Sequence, residues 1–311
     1  MSAPELIPEL ISVAKIWDAA PHNAFTDLLR HNDGWLCTFR EAESHGHCPA
    51  AIRVLQSIDG QAWSSAALIE EAGVDLRDPK LSVTPDGRLM LLTSANYFAP
   101  DGRYRTRSPR VAFSDDAITW STPERCLAED HWLWRVSWHD GIGYSVSKLG
   151  IGNNPRRGML YQTKDGLNWD FITEFILPED TWTASETTVR VMPDGEMIAL
   201  IRPDWIGSSR PPYEDWSFSR IDASLGGPNF IRVPDGALWA SARGRSADDQ
   251  PATVLARMTR NSYEPKLLLP SGGDCSYPGM VWHEGFLWMS YYSSHEGKSS
   301  IYLARIRLPH D

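Results

Sequence analysis

The chain is poor in the features that announce most function classes. Its four cysteines, Cys37, Cys48, Cys126 and Cys275, are scattered, with no CxxC pair. They offer neither a disulfide framework nor a thiolate zinc site, and they read as reduced or buried thiols. Cations are in deficit, with 30 Lys and Arg against 40 Asp and Glu and a formal net charge of -10, so a nucleic-acid partner is disfavoured. No apolar run is long enough to span a membrane, and no long stretch shows the apolar period of an amphipathic helix. The opening residues, MSAPELIPELISVAKIWDAAPHNAF, lack a basic region followed by a long apolar run. For the sequence as it stands, a cytoplasmic location is the expectation.

Turn formers and tryptophan are plentiful: 23 Gly, 22 Pro and 14 Trp suit many short strands joined by tight turns. Six turn dipeptides separate apolar, strand-like runs: Asp33-Gly34, Asp86-Gly87, Asp140-Gly141, Asp194-Gly195, Asp235-Gly236 and Glu284-Gly285. Such a dipeptide is a hairpin signal, with both central residues expected at positive φ. The six recur at roughly 40 to 55 residues, the period of a propeller blade. The expected fold is therefore an all-β, six-bladed β-propeller of four-stranded sheets. Residues 1–311 form one domain in this reading, with residues 1–24 adding a strand to the last blade, because closure removes exposed edges.

A second repeat runs in phase with the first. Its copies are Ser57-Ile58-Asp59-Gly60-Gln61-Ala62-Trp63, Ser114-Asp115-Asp116-Ala117-Ile118-Thr119-Trp120 and Thr163-Lys164-Asp165-Gly166-Leu167-Asn168-Trp169. In such a turn the Asp accepts local backbone N–H groups, the Gly takes positive φ and the Trp packs beneath. The repeat resembles the Asp-box, S/T-x-D-x-G-x-x-W, of the sialidase superfamily. That box is structural and faces away from the active site.

Chemistry is expected on the first strand of each repeat, roughly seven to ten residues before the hairpin glycine. There lie Asp27, Arg77, Asp78, Lys80, Arg135, Glu186, Asn229 and Tyr277, and the following strands add Arg40, Lys148, Arg202 and Arg243. At about 3.3 Å per residue these positions reach similar heights around a ring. So many converging ionisable groups point to a ligand with anionic and hydroxyl groups, since buried charges need partners.

The resemblance extends into this ring. Glu186 through Arg202 is similar to the sialidase segment from the catalytic glutamate to a substrate-clamp arginine. Val233 through Arg243 is similar to the segment ending in another clamp arginine, and Ser276-Tyr277-Pro278 to the one carrying the tyrosine nucleophile. The resemblance implies an exo-acting glycoside hydrolase releasing a terminal, acidic, sialic-acid-like sugar from a glycan. Tyr277 is then the nucleophile, Glu186 its base, and Arg40, Arg77, Arg135, Arg202 and Arg243 the substrate contacts, with no metal or cofactor. The scaffold also hosts other exo-glycosidases and polysaccharide lyases, and a non-catalytic glycan-binding propeller is the reading from another class.

Two departures bear on that expectation. Family sialidases open with an arginine in an Arg-Ile-Pro-like segment, whereas this chain has Asn23-Ala24-Phe25-Thr26-Asp27; Arg40 is the candidate replacement. The loop that carries the acid/base aspartate in sialidases reads Glu41-Ala42-Glu43-Ser44-His45-Gly46-His47 and has no aspartate. His45 or His47 is the candidate acid, with Asp78 as fallback, and His295 is a further candidate contact. Each has a structural reading too. Tyr277 fits a core, Glu186 a salt bridge, the arginines fit as counter-ions, Arg77 and Asp78 as mutual partners, and the histidines as members of solvated loops.

Overall fold

The structure, a computed structural model, describes residues 7–46, 48–150, 157–178 and 184–309. These residues hold strands and no helix, so among them no helix is long and apolar enough to cross a membrane. The architecture is an all-β propeller. Its unit is an antiparallel meander of four strands. His22–His31, Gly34–Ala42, Ala50–Ser57 and Ser64–Ile69 form the first; Asp75–Val83, Leu89–Phe98, Tyr104–Ser114 and the short Glu124–Arg125 form the second. One parallel pair, Ala50 with Asp75, joins these two into an eight-stranded sheet. Next comes a sheet in which His131–Leu133 and Ser137–His139 both pair with Ile142–Leu149, followed by Arg157–Thr163 and Asp170–Phe175. Thr187–Val191 begins the following sheet of four and Gly226–Arg232 the one after it. In the last, Cys275–His283, Phe286–Ser293 and Ser300–Arg307 are completed by Glu9–Trp17, which pairs antiparallel with Ser300–Arg307.

Burial falls from the first strand of a meander to the fourth. His22–His31 is buried over seven consecutive residues, whereas Ser64–Ile69 and Ser217–Arg220 are mostly exposed. First strands thus line the centre, and they touch in turn: His22–His31 meets Asp75–Val83 on one side and Cys275–His283 on the other. Apolar clusters fill the wedges between neighbouring meanders. Trp239 and Leu255 pack on Met289 and Tyr302, and Phe39 and Leu55 on Ile301 and Leu303.

Five of the six dipeptides lie between paired strands; at the first, Gly34 already begins its strand and the turn is Asn32-Asp33, one residue earlier. The turns divide into two kinds. Asn32-Asp33, Asp140-Gly141 and Glu284-Gly285 have both central residues at positive φ. In the other three only Gly87, Gly195 and Gly236 do. The reason is covalent: Pro85, Pro193 and Pro234 precede the Asp, and a proline ring locks φ near -65°. The loop becomes a type I turn closed by a glycine bulge, with Gly87 N donating to Thr84 O and Thr84 N to Arg88 O, both at 2.9 Å.

The three boxed turns are built alike. Oδ1 of Asp59 accepts from the N–H groups of Gln61 and Ala62, at 2.8 and 3.0 Å, and Trp63 Nε1 donates to Gly60 O at 3.1 Å. Asp116 with Trp120, and Asp165 with Trp169, repeat this arrangement. A fourth such turn escaped sequence reading. Trp216 Nε1 donates to the carbonyl of Tyr213, which sits at φ 67° where the boxes place glycine or alanine.

Candidate active site

Four first strands carry the same irregularity. In each, two residues face one on the neighbouring strand, between Ala24 and Asp27, Arg77 and Lys80, Gly226 and Asn229, and Ser276 and Gly279. The first residue of each bulge has positive φ: Phe25 at 63°, Asp78 at 54°, Gly227 at 59° and Tyr277 at 54°. Three are followed by proline, which has no N–H for the ladder to lose. A bulge re-aims a side chain, and a non-glycine residue at positive φ costs on the order of 1–3 kcal/mol. The strands spend that strain on turning Phe25, Asp78 and Tyr277 toward one place.

There, Tyr277 Oη donates to Glu186 Oε1 at 3.1 Å. Arg202 Nη1 donates to both oxygens of Glu186, at 2.8 and 2.6 Å, and to Tyr277 Oη at 3.3 Å. Burial pushes the Glu186 carboxyl up, but Arg202, Lys148 and the Tyr277 hydroxyl outweigh it and hold the group below its usual range. Burial, reinforced by the Glu186 charge, raises the Tyr277 phenol well above its ordinary value. The pair is therefore a neutral phenol on an ionised carboxylate. Asp78 is 3% exposed, and its Oδ1 has no hydrogen-bond partner among the described residues. Burial, with the Glu186 charge adding to it against Lys80, Arg77 and Lys148, pushes its carboxyl up to about 6.

The arginines named from sequence go to different places. Arg202 and Arg243 share one face of the disk, the Arg243 guanidinium lying 5.8 Å from the Tyr277 ring. Arg77 holds Asp75 through Nε and Nη2, donates to His45 O and sits 5.9 Å from the Phe25 ring. Arg40 is fully buried, with Nε on Asp75 Oδ1 and Nη1 on Ser44 O, both at 2.7 Å. It anchors Ser44 and, through Nη2, Cys48, and is not placed to replace the missing clamp arginine. Arg135 is likewise inward, its Nη1 on Asp27 Oδ1 at 2.7 Å, with the other Asp27 oxygen accepting from Leu81 N. The Arg135–Asp27 pair lies near Lys80, whose amine burial and Arg135 push down to about 8.

His45 does not face the Tyr277–Glu186 pair directly. Its Nδ1 lies 2.6 Å from Asp274 Oδ2, and its ring meets the edge of Phe25. His47 lies outside the described residues. His295 hydrogen-bonds Ser293 through Nδ1 and packs on Tyr302.

Sequence reading missed several members of the site. Phe25 stands 5.0 Å from the Tyr277 ring, in the segment noted for its missing arginine. Asp75 and Asp274 tie down Arg40, Arg77, His22 and His45, yet neither has a spacing signal. Gly227 carried one, the Gly-Pro that parallels Asp78-Pro79 and Tyr277-Pro278. A Cβ there would fall 2.4 Å from Tyr277 Cγ, so only glycine lets the ring lie against this strand.

No family model matches the chain, and no curated protein matches it. Solved structures do. A protein of unknown function from Dyadobacter fermentans superposes with a TM-score of 0.84 at 16% identity, over 97% of this chain and 99% of that one. Trypanosoma rangeli sialidase in complex with sialic acid gives 0.71 at 12% identity; 97% of this chain covers 59% of the sialidase. An α-L-arabinofuranosidase from Fusarium graminearum, a mutant in complex with an iminosugar inhibitor, gives 0.71 at 16% identity, over 96% and 98% of the two chains. At these identities the likeness is one of fold. This is a sialidase-like propeller, a scaffold that glycoside hydrolases share.

Proposed function

We propose that the chain is an exo-acting glycoside hydrolase on a six-bladed propeller, releasing a terminal, acidic sugar from a glycan. Six blades follow from counting the eight-stranded sheet as two, since one parallel pair joins its halves, and from the apolar cluster in every wedge. Glu9–Trp17 closes the ring as the outer strand of the last blade.

The observation that carries the function is the hydrogen-bonded set of Tyr277, Glu186 and Arg202. A phenol with a raised pKa is a poor nucleophile unless a base takes its proton as it attacks. Glu186 is ionised and in reach to do so, and Arg202 steadies the charge as it moves. Asp78 supplies the acid in place of His45, because its carboxyl keeps a proton up to about pH 6 and its Oδ1 is unspent. Tyr277 forms the bond to the anomeric carbon while Asp78 protonates the leaving oxygen. Water, giving a proton to Asp78, then attacks the anomeric carbon; the bond from that carbon to Tyr277 Oη breaks, and Glu186 returns to the phenol the proton it took in the first step.

Charge supports an acidic sugar. Toward the centre of the disk Arg40, Arg77, Lys80, Arg135, Lys148, Arg190, Arg202 and Arg243 gather with Asp27, Asp75, Asp78, Glu186 and Asp274, although the whole chain carries -10; Arg40 and Arg135 lie inward, paired with Asp75 and Asp27. A cationic centre on an anionic body draws anions to it. Among the described residues no hydrogen bond engages Nε or Nη2 of Arg202, so one edge of its fork remains for a carboxylate.

The likeness to an arabinofuranosidase favours a second reading, in which the sugar is neutral and Glu186 with Asp78 acts as the paired carboxylates. A panel of aryl glycosides, acidic and neutral, assayed with the wild type and Tyr277→Phe separates the two. The first reading expects turnover on an acidic glycoside and its loss in Tyr277→Phe with binding retained. Near-normal turnover of that variant overturns it.

A further inference from the structure

Three side chains from distant parts of the chain meet beside the candidate site. His22 begins its strand, His45 lies in the loop before Ala50–Ser57, and Asp274 immediately precedes Cys275–His283. Nε2 of His22 and Nδ1 of His45 lie 2.9 and 2.6 Å from the same Asp274 oxygen, Oδ2, and the three atoms fall within 4.8 Å of one another. We propose that His22, His45 and Asp274 form a binding site for a divalent late first-row cation, Zn2+ above all, with a fourth position left open.

The donor set is the first argument. Two imidazoles and one carboxylate match the borderline-soft ions, and three protein ligands leave one place for water or another ligand. The spacing is the second. A regular tetrahedron with bonds of roughly 2.0–2.1 Å separates its ligands by about 3.3 Å. Both contacts to Asp274 must therefore open by less than an ångström, while the two imidazole nitrogens, within 4.8 Å of each other, close by up to about 1.5 Å, a shift that falls on the exposed His45 side chain. The surroundings are the third. Tyr292 Oη donates to Asp274 Oδ1 at 2.7 Å and fixes the carboxylate with Oδ2 turned to the histidines. The Phe25 ring packs on both imidazoles and restrains their rotation. The outer support is complete for the carboxylate and partial for the imidazoles, since Nδ1 of His22 is buried with no partner among the described residues.

Two guanidiniums work against affinity: Arg243 Nη1 is 3.8 Å from Asp274 Oδ1, and Arg77 donates to the His45 carbonyl. They favour an anion, hydroxide or carboxylate, as the fourth ligand. The loaded cation would also join His22 near the start of the ring to Asp274 near its end, stapling the propeller across its closure.

The test uses the full chain, stripped with a chelator and then dialysed against Zn2+ or Co2+. We expect one equivalent of metal per chain by elemental analysis, a visible spectrum of four-coordinate Co2+, and a rise in Tm with Zn2+ that chelator reverses. His45→Ala and Asp274→Asn should each weaken binding at least about tenfold, given what losing one of three ligands costs. Should Asp274→Asn fail to fold, His45→Ala, on its exposed loop, decides alone. Absence of a bound equivalent in the wild type, or undiminished binding in His45→Ala, overturns the proposal. Metal content is read without substrate, so the result does not depend on turnover.

Discussion

The boxed turns and the channel mouth are made from similar residues by opposite means. At Asp59, Asp116 and Asp165 every hydrogen bond goes to a residue within three positions along the chain. At the mouth, Tyr277 bonds Glu186 91 residues away and His45 meets Asp274 229 away, and beneath it Asp27 bonds Arg135 108 away. A carboxylate satisfied by its neighbours belongs to a self-contained turn. One that needs a partner from another blade forms only when the ring closes, and there the molecule accumulates buried charge, positive φ and shifted pKa values.

The sharpest test of that difference is Glu186→Gln. It removes the base but keeps a polar group against Arg202 and Tyr277. Turnover should fall about 10²–10⁴-fold with the circular-dichroism melt little changed. A variant that unfolds instead would place Glu186 among the residues that hold the ring together.

Deeper in the channel, Arg135→Leu leaves Asp27 buried without its cation. The expected loss is about 3–5 kcal/mol in denaturant unfolding, as for other broken buried pairs. Pairing it with Asp27→Asn should restore much of this, and failure to do so would show that Arg135 acts through packing.

Asp78 links stability to pH in the reverse sense of most carboxylates. Its folded-state pKa, about 6, lies above the ordinary value of 3.8, so the native state holds the proton more tightly. The group therefore costs nothing below about pH 4 and destabilises progressively as pH rises through 4 to 6. Asp78→Asn should raise stability at pH 7 by on the order of 1–3 kcal/mol. It should also remove the alkaline limb of the turnover profile near pH 6, with turnover itself much reduced. A wild-type profile flat from pH 5 to 8 would release Asp78 from the acid role.

The smallest effect belongs to the other face. Asp116→Ala deletes three local hydrogen bonds on an exposed turn, from Ser114 Oγ and from the N–H groups of Ile118 and Thr119. It should cost about 1 kcal/mol and leave turnover at its wild-type level, whatever the substrate. A fall in turnover would break the division between the two faces.

Much of the architecture is legible in the sequence because hairpin and box are local devices. Asp-Gly, Pro-Asp-Gly and the S/T-x-D-G/A-x-x-W of the three boxes state the backbone geometry they need within a few residues, and their spacing states the repeat. The offset from each hairpin even marked Asp78, Glu186 and Tyr277 for the mouth, because a strand converts residue number into height. Tertiary structure alone decided which of the marked charges would meet. Arg40, Arg135 and Arg202 look alike in sequence, yet Asp75 captures the first, Asp27 the second and Glu186 the third. Bulges at Phe25, Asp78 and Tyr277 turn their side chains where a regular strand would not, and Asp274 has no periodic neighbour to announce it. Those outcomes rest on contacts between strands, 16 residues apart for Arg202 with Glu186, 35 for Arg40 with Asp75, 108 for Arg135 with Asp27 and 229 for His45 with Asp274, and a low-dielectric centre that tertiary packing alone creates makes each of them decisive.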